Sequence, residues 1–273
     1  MKFDDEHLEE VAKKGVTRRV AGAGQQTDAD SIKIIDYLIG TRLKRRRRGA
    51  LIRNSFVRSS DGTTVPPLSE FSTIRGGSGV ALKLYLAIIW LSAAKPYATN
   101  FEAADWARMI GLAQPDTRGA ASVRRAIGTL ARHDLITKEH IKRQRANRIT
   151  LLREDGSGSP YTPPKANKRD DRYFAVPKEL WAQGHIQKMD TAGLTMLLIL
   201  LEEQHGTEPR KQWWTQNQFK KRFHISKDTR TKGTKELEER GLLTARFEYL
   251  RTRDDEPLTP RKTRKTYTLT LKP

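Results

Sequence analysis

The sequence predicts a mainly helical α+β protein with small β hairpins, built from two similar units behind a basic N-terminal extension. Apolar residues recur at helical spacing in several stretches of each half. In each half these stretches are followed by residues that alternate between apolar and polar, as strands of a hairpin do. Residues 154–172 are rich in Gly, Ser, Pro and mixed charge, so we expect them to form a linker between the halves.

The composition of the chain indicates which classes of partner it binds. Its 273 residues suffice for two ordinary domains. The net charge of +20 makes a polyanion the default partner. The longest apolar runs, at residues 80–94 and 194–201, are too short to span a bilayer, and the acidic start is unlike a signal peptide. We therefore expect a cytoplasmic protein, associated with a nucleoid or plasmid, without a membrane partner.

Residues 1–58 are predicted to form the N-terminal extension, partly disordered but containing one helix. Asp30 is the expected cap of that helix, whose apolar positions lie within residues 32–39. Between Arg42 and Arg58 the sequence contains eight basic residues and no acidic one. That density favours phosphate contact over a solvated charge run, although a nuclear-import signal stays open. The candidate contacts in this run are Arg45, Arg46, Arg47 and Arg48.

The first unit contains the clearest functional pattern, RGAASVRRAIGTLARHDLITKEHIKRQRANRITLLR at residues 118–153. Before it, the sequence predicts a buried helix at residues 80–94 and a second helix capped by Thr99 or Asn100. Residues 118–132 predict a third helix with one apolar and one basic face. The following residues predict a two-stranded hairpin with a basic tip.

The second half repeats this order. Leucines or isoleucines at 130, 135 and 136 correspond, at an offset of 107, to leucines at 237, 242 and 243. A helix near residues 191–204, a short helix ending near Ile225 and a third helix at 227–240 are expected. Ser226 should cap that third helix and Gly241 should end it. Strands around residues 243–249 and 267–271 then flank a long basic loop.

These residues carry a resemblance to a known family. SVRRAIGTLARHDLI and its counterpart KGTKELEERGLL resemble winged-helix domains of the helix-turn-helix class, where a recognition helix runs through a short turn into the first wing strand. Both units, residues 68–153 and 174–272, are similar to that family. The resemblance implies binding of double-stranded DNA, with the third helix in the major groove and the wing on the backbone or minor groove.

The distribution of charge independently favours nucleic acid. Residues 70–117 contain four basic and four acidic side chains, whereas residues 118–153 contain ten and two. In the second unit, residues 174–217 contain four basic and five acidic side chains, whereas residues 218–273 contain sixteen and eight. A merely solvated surface gives no reason for this sorting to occur twice.

The first unit supplies candidates for two kinds of contact. Arginine forking onto guanine is the commonest specific contact, so one face of the helix is expected to reach base edges. The side chains on that face are Arg118, Ser122, Arg125 and Thr129. Arg124 and Arg132 are expected on phosphates. The hairpin candidates for backbone or minor-groove contact are Lys142, Arg143, Arg145 and Arg148.

The second unit departs from the pattern. Arg230, Gly233 and Thr234 stand where the first unit has apolar residues, so we expect looser packing or an Arg230 stem that extends past the core. Glutamates at 236, 238 and 239 reduce the positive charge on the third helix of the second unit. We therefore expect the first unit to make more of the contacts that read the DNA sequence. The candidate DNA contacts of the second unit are Lys227, Thr229, Thr231, Lys232, Lys235, Arg251, Arg253, Arg261, Lys262, Arg264 and Lys265.

Enzymatic activity is not expected. The six histidines show no spacing typical of a metal site, and no phosphate-binding loop or nucleophile elbow is present. The absence of cysteine excludes a thiolate zinc site. We expect no cofactor, no metal and no small-molecule ligand.

Several biological roles stay open. Two such units with a basic extension resemble plasmid replication initiators that bind repeated sites, and would also serve a transcriptional regulator of a phage or mobile element. A partition or recombination accessory protein is an alternative, and self-association on DNA is left open. RNA binding is a further alternative, disfavoured because the sequence does not predict stacking aromatic residues on an exposed sheet face.

Overall fold

The computed structural model describes residues 23–41, 49–73, 78–92, 94–141, 146–165, 171–204, 210–249 and 263–271. Within these ranges the chain forms mainly helices with small antiparallel sheets. The predicted α+β class, mainly helical with small β hairpins, is confirmed.

The first half begins with a long helix and a short strand and ends in a hairpin. Its elements are α1 (Ala23–Thr41), β1 (Ala50–Arg53), α2 (Pro67–Thr73), α3 (Ser78–Leu91), β2 (Ala98–Thr99), α4 (Ala103–Met109), α5 (Ala120–Arg132), β3 (Ile136–His140) and β4 (Asn147–Leu151). A short 3₁₀ turn at Asn54–Phe56 follows β1, and a π-helical turn at Pro115–Gly119 precedes α5.

The second half has the same order after a strand and two short helices. Its elements are β5 (Tyr173–Val176), α6 (Glu179–Ala182), α7 (His185–Lys188), α8 (Thr191–Glu203), α9 (Gln216–Phe223), α10 (Lys227–Glu239), β6 (Leu243–Tyr249) and β7 (Thr263–Leu269). The order α8, α9, α10, β6, β7 repeats α3, α4, α5, β3, β4.

In each unit, the segment that precedes the second helix also pairs with the hairpin as a third strand or bridge. In the first half, β2 pairs with β4, with Ala98 opposite Thr150. In the second half, Gln212 forms an isolated bridge with Tyr267, whose two backbone N–H···O bonds each measure 2.8 Å. The repeated order therefore extends to the pairing around each hairpin.

Three local predictions differ from the structure. Asp30 lies inside α1 and does not cap it, because the helix begins at Ala23. Residues 59–79 are rich in Gly, Pro, Ser and Thr, a composition that predicts a loop. They nevertheless contain α2, where Pro67 supplies a helical φ at the first position. Thr99 pairs with Ile149 in a sheet, so α4 begins later, after Glu102.

The two halves share one hydrophobic core. The central helices α3 and α8 are each buried almost all round and contact one another. Trp90 of α3 stacks on Trp181 of α6, with ring centroids 4.5 Å apart. Lys83 interrupts the apolar surface of α3, and its ammonium donates to the Gln187 carbonyl at 2.6 Å. The halves are therefore packed against each other by apolar and polar contacts.

The predicted extension and linker take part in this packing. Strand β1 pairs antiparallel with β5, with Ala50 opposite Val176. Arg53 at the end of β1 is fully buried and forms an ion pair with the fully buried Glu154. Residues 49–58 therefore pack into the shared core, and the segment after β4 is anchored to it by the buried side chains of Glu154 and Tyr161. In this respect the structure differs from the prediction of a separate N-terminal extension at residues 1–58 and a linker at residues 154–172.

Further contacts complete the Arg53 network. Its Nε donates to Asp171 Oδ1 at 2.8 Å, and its Nη2 donates to the Thr162 carbonyl at 2.7 Å. Burial raises the pKa of Glu154, and the attraction of Arg53 opposes that rise. A buried charge without such partners would be strongly destabilising. The segment after β4 is consequently held in place by Arg53.

A second polar contact between the halves surrounds Glu202, at the end of α8. The Asn54 amide donates to Glu202 Oε1 at 3.0 Å, and Arg58 Nη1 lies 3.3 Å from the same oxygen. Glu203 forms an ion pair with Arg222 of α9. Burial raises the pKa of Glu202 to about 7; neighbouring Glu203 also raises it, and Arg58 opposes the rise.

We predict that the raised pKa of Glu202 makes stability depend on pH. The folded chain retains a proton that the unfolded chain loses above its ordinary pKa of 4.5. The protonated carboxyl therefore contributes to the free energy of unfolding in full below pH 4.5, and this contribution is lost as the pH rises to about 7. It amounts to at most about 3 kcal/mol.

Urea unfolding of Glu202→Gln and the unmodified chain across this pH range tests the prediction. The free energy of unfolding of Glu202→Gln should fall less with rising pH. Glu139→Gln, at an exposed position on β3, is the matched control and should keep the original slope. Equal slopes in all three proteins would contradict the prediction.

The contact between α8 and α10 is unusually close at two glycines. A Cβ built on Gly233 would lie 2.2 Å from the Ala192 carbonyl oxygen. A Cβ on Gly193 would lie 2.2 Å from a carboxylate oxygen of Glu236. The sequence predicts that the third helix of the second unit either packs more loosely or extends the Arg230 stem past the core. Looser packing does not occur at Gly233, since glycine there lets the two helices approach.

We predict that Gly233→Ala lowers the free energy of unfolding by about 1–3 kcal/mol, because the methyl group forces α8 and α10 apart. Gly128→Ala is the matched control, since nothing lies within 4 Å of a Cβ there. Alanine is the better helix former, so this variant should be neutral or more stable by up to about 1 kcal/mol. Chemical denaturation measures both, and similar values for the two variants would refute the packing argument.

Candidate nucleic-acid interface

Helix α5 separates an apolar face from a basic one. Val123, Ala126, Ile127 and Leu130 are buried against the first-half core. The predicted base-reading side chains lie on another face because they recur at three- and four-residue spacing. In chain order that face presents Arg118, Ser122, Arg125, Thr129 and Arg132, of which the arginines are exposed and the hydroxyl residues half-buried. Arg124 is also exposed, on an adjacent face.

The π-helical turn before α5 positions Arg118. Gln114 has a φ of 49°, and Pro115 begins the turn. Gly119 packs tightly, because a Cβ there would lie 3.0 Å from the Gln114 carbonyl oxygen. This turn brings Arg118 onto the same surface as the side chains of α5.

Short-range hydrogen bonds order the arginines of this face. Arg125 Nη2 donates to Ser122 Oγ at 3.1 Å, and Arg132 Nη2 donates to Thr129 Oγ1 at 3.1 Å. Thr129 Oγ1 in turn donates to the Arg125 carbonyl at 3.2 Å. These partners are neutral oxygens, so the positive charges are oriented without being neutralised by them.

Helix α10 presents a weaker version of this surface. Ser226 caps it, as predicted, by accepting from the Thr229 N–H at 3.1 Å. The Thr229 hydroxyl lies 3.0 Å from Ser226 Oγ, so Thr229 belongs to the cap. The remaining candidates, Lys227, Thr231, Lys232 and Lys235, are exposed. Lys235 Nζ lies 3.7 Å from a carboxylate oxygen of Glu239, which reduces the positive charge of that face.

Glu236 does not dilute the positive face of α10, contrary to expectation. Its carboxylate accepts from the backbone N–H of Asp190, at 3.0 Å to Oε1, and pairs with Arg240 at 2.9 Å. Asp190 is the N-cap residue of α8. A carboxylate at this end of a helix is favourable, so Glu236 stabilises the contact between α8 and α10.

Arg230 occupies an aromatic cage in the second unit. Its guanidinium carbon lies 4.8 Å from the Phe219 ring centroid, 5.4 Å from that of Tyr267 and 5.7 Å from that of Trp214. The stem therefore does extend into the core, and the charge faces three rings. Where the first unit has Val123, the second places a cation among aromatic residues.

In the second hairpin, the predicted contact residues Arg264 and Lys265 form internal contacts. Arg264 Nη2 lies 3.2 Å from Glu248 Oε2, and its guanidinium carbon lies 4.9 Å from the Trp213 ring centroid. Lys265 Nζ lies 3.6 Å from Glu238 Oε2. Both predicted contacts are therefore partly neutralised. In the first hairpin, Arg148 is exposed and stands opposite Glu139 on β3.

Several candidates lie outside the described residues. They are Arg45, Arg46, Arg47 and Arg48 of the basic run, Lys142, Arg143 and Arg145 of the first hairpin, and Arg251, Arg253, Arg261 and Lys262 of the second loop.

Sequence reasoning missed two surface features. Phe247 and Tyr249 of β6 are 71% and 69% exposed, although the sequence does not predict exposed aromatic residues on a sheet. Their alternation with Leu243 and Ala245 predicts a core-facing strand, but the hairpin extends past the core. The second feature is a polar cleft of about 720 Å³ between the halves. Its basic lining residues are Arg58, Arg153, Arg172, Lys221 and Arg222.

The described residues contain neither a metal site nor a membrane-spanning helix. No group of three or more His, Asp or Glu side chains in the described ranges is arranged to hold a metal ion. Among the described helices, none is long and apolar enough to cross a membrane. Comparison of the chain with protein-family models, with curated proteins and with solved structures found no match.

We predict that Arg230→Ala lowers the free energy of unfolding by about 2 kcal/mol, since it removes both a half-buried side-chain stem and a cation facing three rings. Lys232→Ala, an exposed change two residues along α10, should stay within about 0.5 kcal/mol of the unmodified chain. Urea denaturation followed by tryptophan fluorescence measures both. Equal stabilities would show that the cage does not depend on Arg230.

Proposed function

We propose that this chain binds double-stranded DNA in a sequence-specific manner through two winged-helix units. On this proposal it controls replication or transcription of a plasmid, phage or mobile element by binding repeated or extended sites. The observation that carries the proposal is the repeat of α3, α4, α5, β3, β4 as α8, α9, α10, β6, β7, with a basic exposed face on the third helix each time.

The element order supports the winged-helix assignment. In that class a recognition helix is followed directly by a two-stranded wing. Helix α5 ends at Arg132 and β3 begins at Ile136; α10 ends at Glu239 and β6 begins at Leu243. A third segment joins each hairpin, through β2 in the first unit and Gln212 in the second.

The face of α5 is suited to reading base edges. Arg125 can fork onto the O6 and N7 acceptors of guanine, and Ser122 and Thr129 can reach a base or phosphate. Their mutual hydrogen bonds involve hydroxyl groups, which exchange readily for acceptors on DNA. Arg132 at the C-terminal end of this face and Arg124 on the adjacent face would hold phosphates, so register and readout come from different residues.

The exposed side chains of α10 favour backbone contact. Lys227, Lys232 and Lys235 are flexible point charges without the planar fork of arginine. Since the halves share one core, the separation of α5 and α10 is set by packing. A fixed separation favours an extended or repeated target, on which copies of the chain could also self-associate.

The first test is the dependence of duplex affinity on salt. Duplexes selected from a random library should bind with a log affinity that falls linearly with log salt, with on the order of ten phosphates neutralised if both units engage. Fluorescence anisotropy against selected and scrambled duplexes measures this. No enrichment in the selection, together with a flat salt response, would rule out the proposal.

The second test separates readout from phosphate contact. Arg125→Ala should weaken binding to the selected duplex by about 1–3 kcal/mol and lose less on scrambled DNA. Arg124→Ala, its neighbour on α5, is the matched variant and should weaken both duplexes alike and lower the salt slope by about 1. If Arg125→Ala also weakens both duplexes alike, Arg125 is a phosphate contact and another residue reads the sequence.

A further inference from the structure

Strands β6 and β7 change their environment along their length. Leu243 opposite Leu269 and Ala245 opposite Tyr267 lie on one face, which packs on the core. The same face continues outward to Phe247, which is 71% exposed. Tyr249, 69% exposed, follows two residues later on that face. The hairpin therefore carries two neighbouring aromatic side chains into solvent.

This exposure is concentrated at one place in the molecule. Five large hydrophobic side chains are exposed in the described part of the chain, and Phe247 and Tyr249 are the most exposed of them. A third, Trp213, lies under Arg264 of the same hairpin. Scattered exposed apolar residues need no explanation, but adjacent aromatic residues on one element indicate a contact surface.

The surroundings of these rings are basic. Lys265 stands directly opposite Phe247, and Arg246 precedes it with an exposed side chain. Lys211 Nζ lies 2.6 Å from Glu248 Oε1, and Arg264 shares the same carboxylate. Lys265 shares the face of the rings and pairs with Glu238, whereas Arg246, Glu248 and Arg264 project from the opposite face of the hairpin. Four cations on this hairpin and its neighbouring segment therefore stand against the two carboxylates of Glu238 and Glu248. A partner of this surface must offer both negative charge and flat apolar faces.

We infer that the Phe247 and Tyr249 face of the β6–β7 hairpin is a stacking platform for unpaired bases of single-stranded DNA. Unpaired bases present flat faces beside a phosphate chain, which matches rings flanked by cations. Alternate residues of a strand are about 6.8 Å apart on the same face, so the two rings lie side by side and each can stack on a separate base. The two rings are thus spaced to contact bases of one continuous strand.

Two other occupants fit the surface less well. In a duplex the base faces are already stacked, so these rings would have to unstack a step and kink the helix before making the same contact. A second copy of the chain would bring its own cations against those of this hairpin, which is repulsive. Single-stranded DNA meets neither obstacle.

The test compares single-stranded and duplex DNA on matched variants of the full chain. Affinities for labelled dT20, rU20 and a 20-base-pair duplex are measured for Phe247→Ala, Tyr249→Ala and the double variant. Each replacement should weaken dT20 binding about five-fold or more, and leave duplex binding within about two-fold. Phe247→Trp and Tyr249→Phe should retain dT20 affinity, because a flat ring remains.

Val65→Ala, which removes another exposed apolar side chain, is the control for loss of surface hydrophobicity and should leave all affinities unchanged. The inference rests on the proposed DNA binding, and the duplex arm separates their failures. A chain that binds no DNA fails both, whereas duplex binding with dT20 affinity unaffected by the ring variants overturns this inference alone. It is also overturned if the ring variants weaken only duplex or only rU20 binding, or if they abolish self-association in light scattering instead.

Discussion

The fold depends most on the buried guanidinium of Arg53. This charge is removed from water at the end of β1, and its partners Glu154, Asp171 and Thr162 come from the segment between the two units. Removal of one member of a buried pair costs several kcal/mol, because the other charge is left uncompensated. The pairing of β1 with β5 and the course of the segment after β4 are therefore fixed together.

The repeated units reach similar shapes through different side chains. The third helix of the first unit packs through aliphatic residues such as Val123, as an amphipathic pattern predicts. The equivalent helix of the second unit uses Gly233 for close approach and Arg230 among aromatic rings. A low hydrophobicity on that helix therefore does not signify a weak contact. Polar residues there are satisfied by rings, carboxylates and backbone groups of the neighbouring helix.

The sequence predicted the local elements of this fold well, because periodicity and caps are local properties. The third helices, their hairpins and the cap at Ser226 follow from spacing and residue type alone. It could not predict that Arg53 lies in the core, since a basic residue in a charged run is ordinarily exposed. Nor did alternation show where β6 leaves the core, because Phe247 continues the same pattern as Leu243. Both failures concern contacts between segments distant in sequence, which composition does not encode.

The pairing of β1 with β5 has a consequence for how the chain folds. Arg53 and Asp171 are 118 residues apart in sequence, so their contact closes a long loop late and at a considerable entropic cost. During synthesis the first unit would emerge with β1 unpaired and with the apolar surface of α3 still uncovered by α8. Until the second half is made, that surface is open to chaperones or to aggregation. A fragment that ends between the two units should therefore not fold as a stable isolated domain, although the sequence pattern places a boundary there.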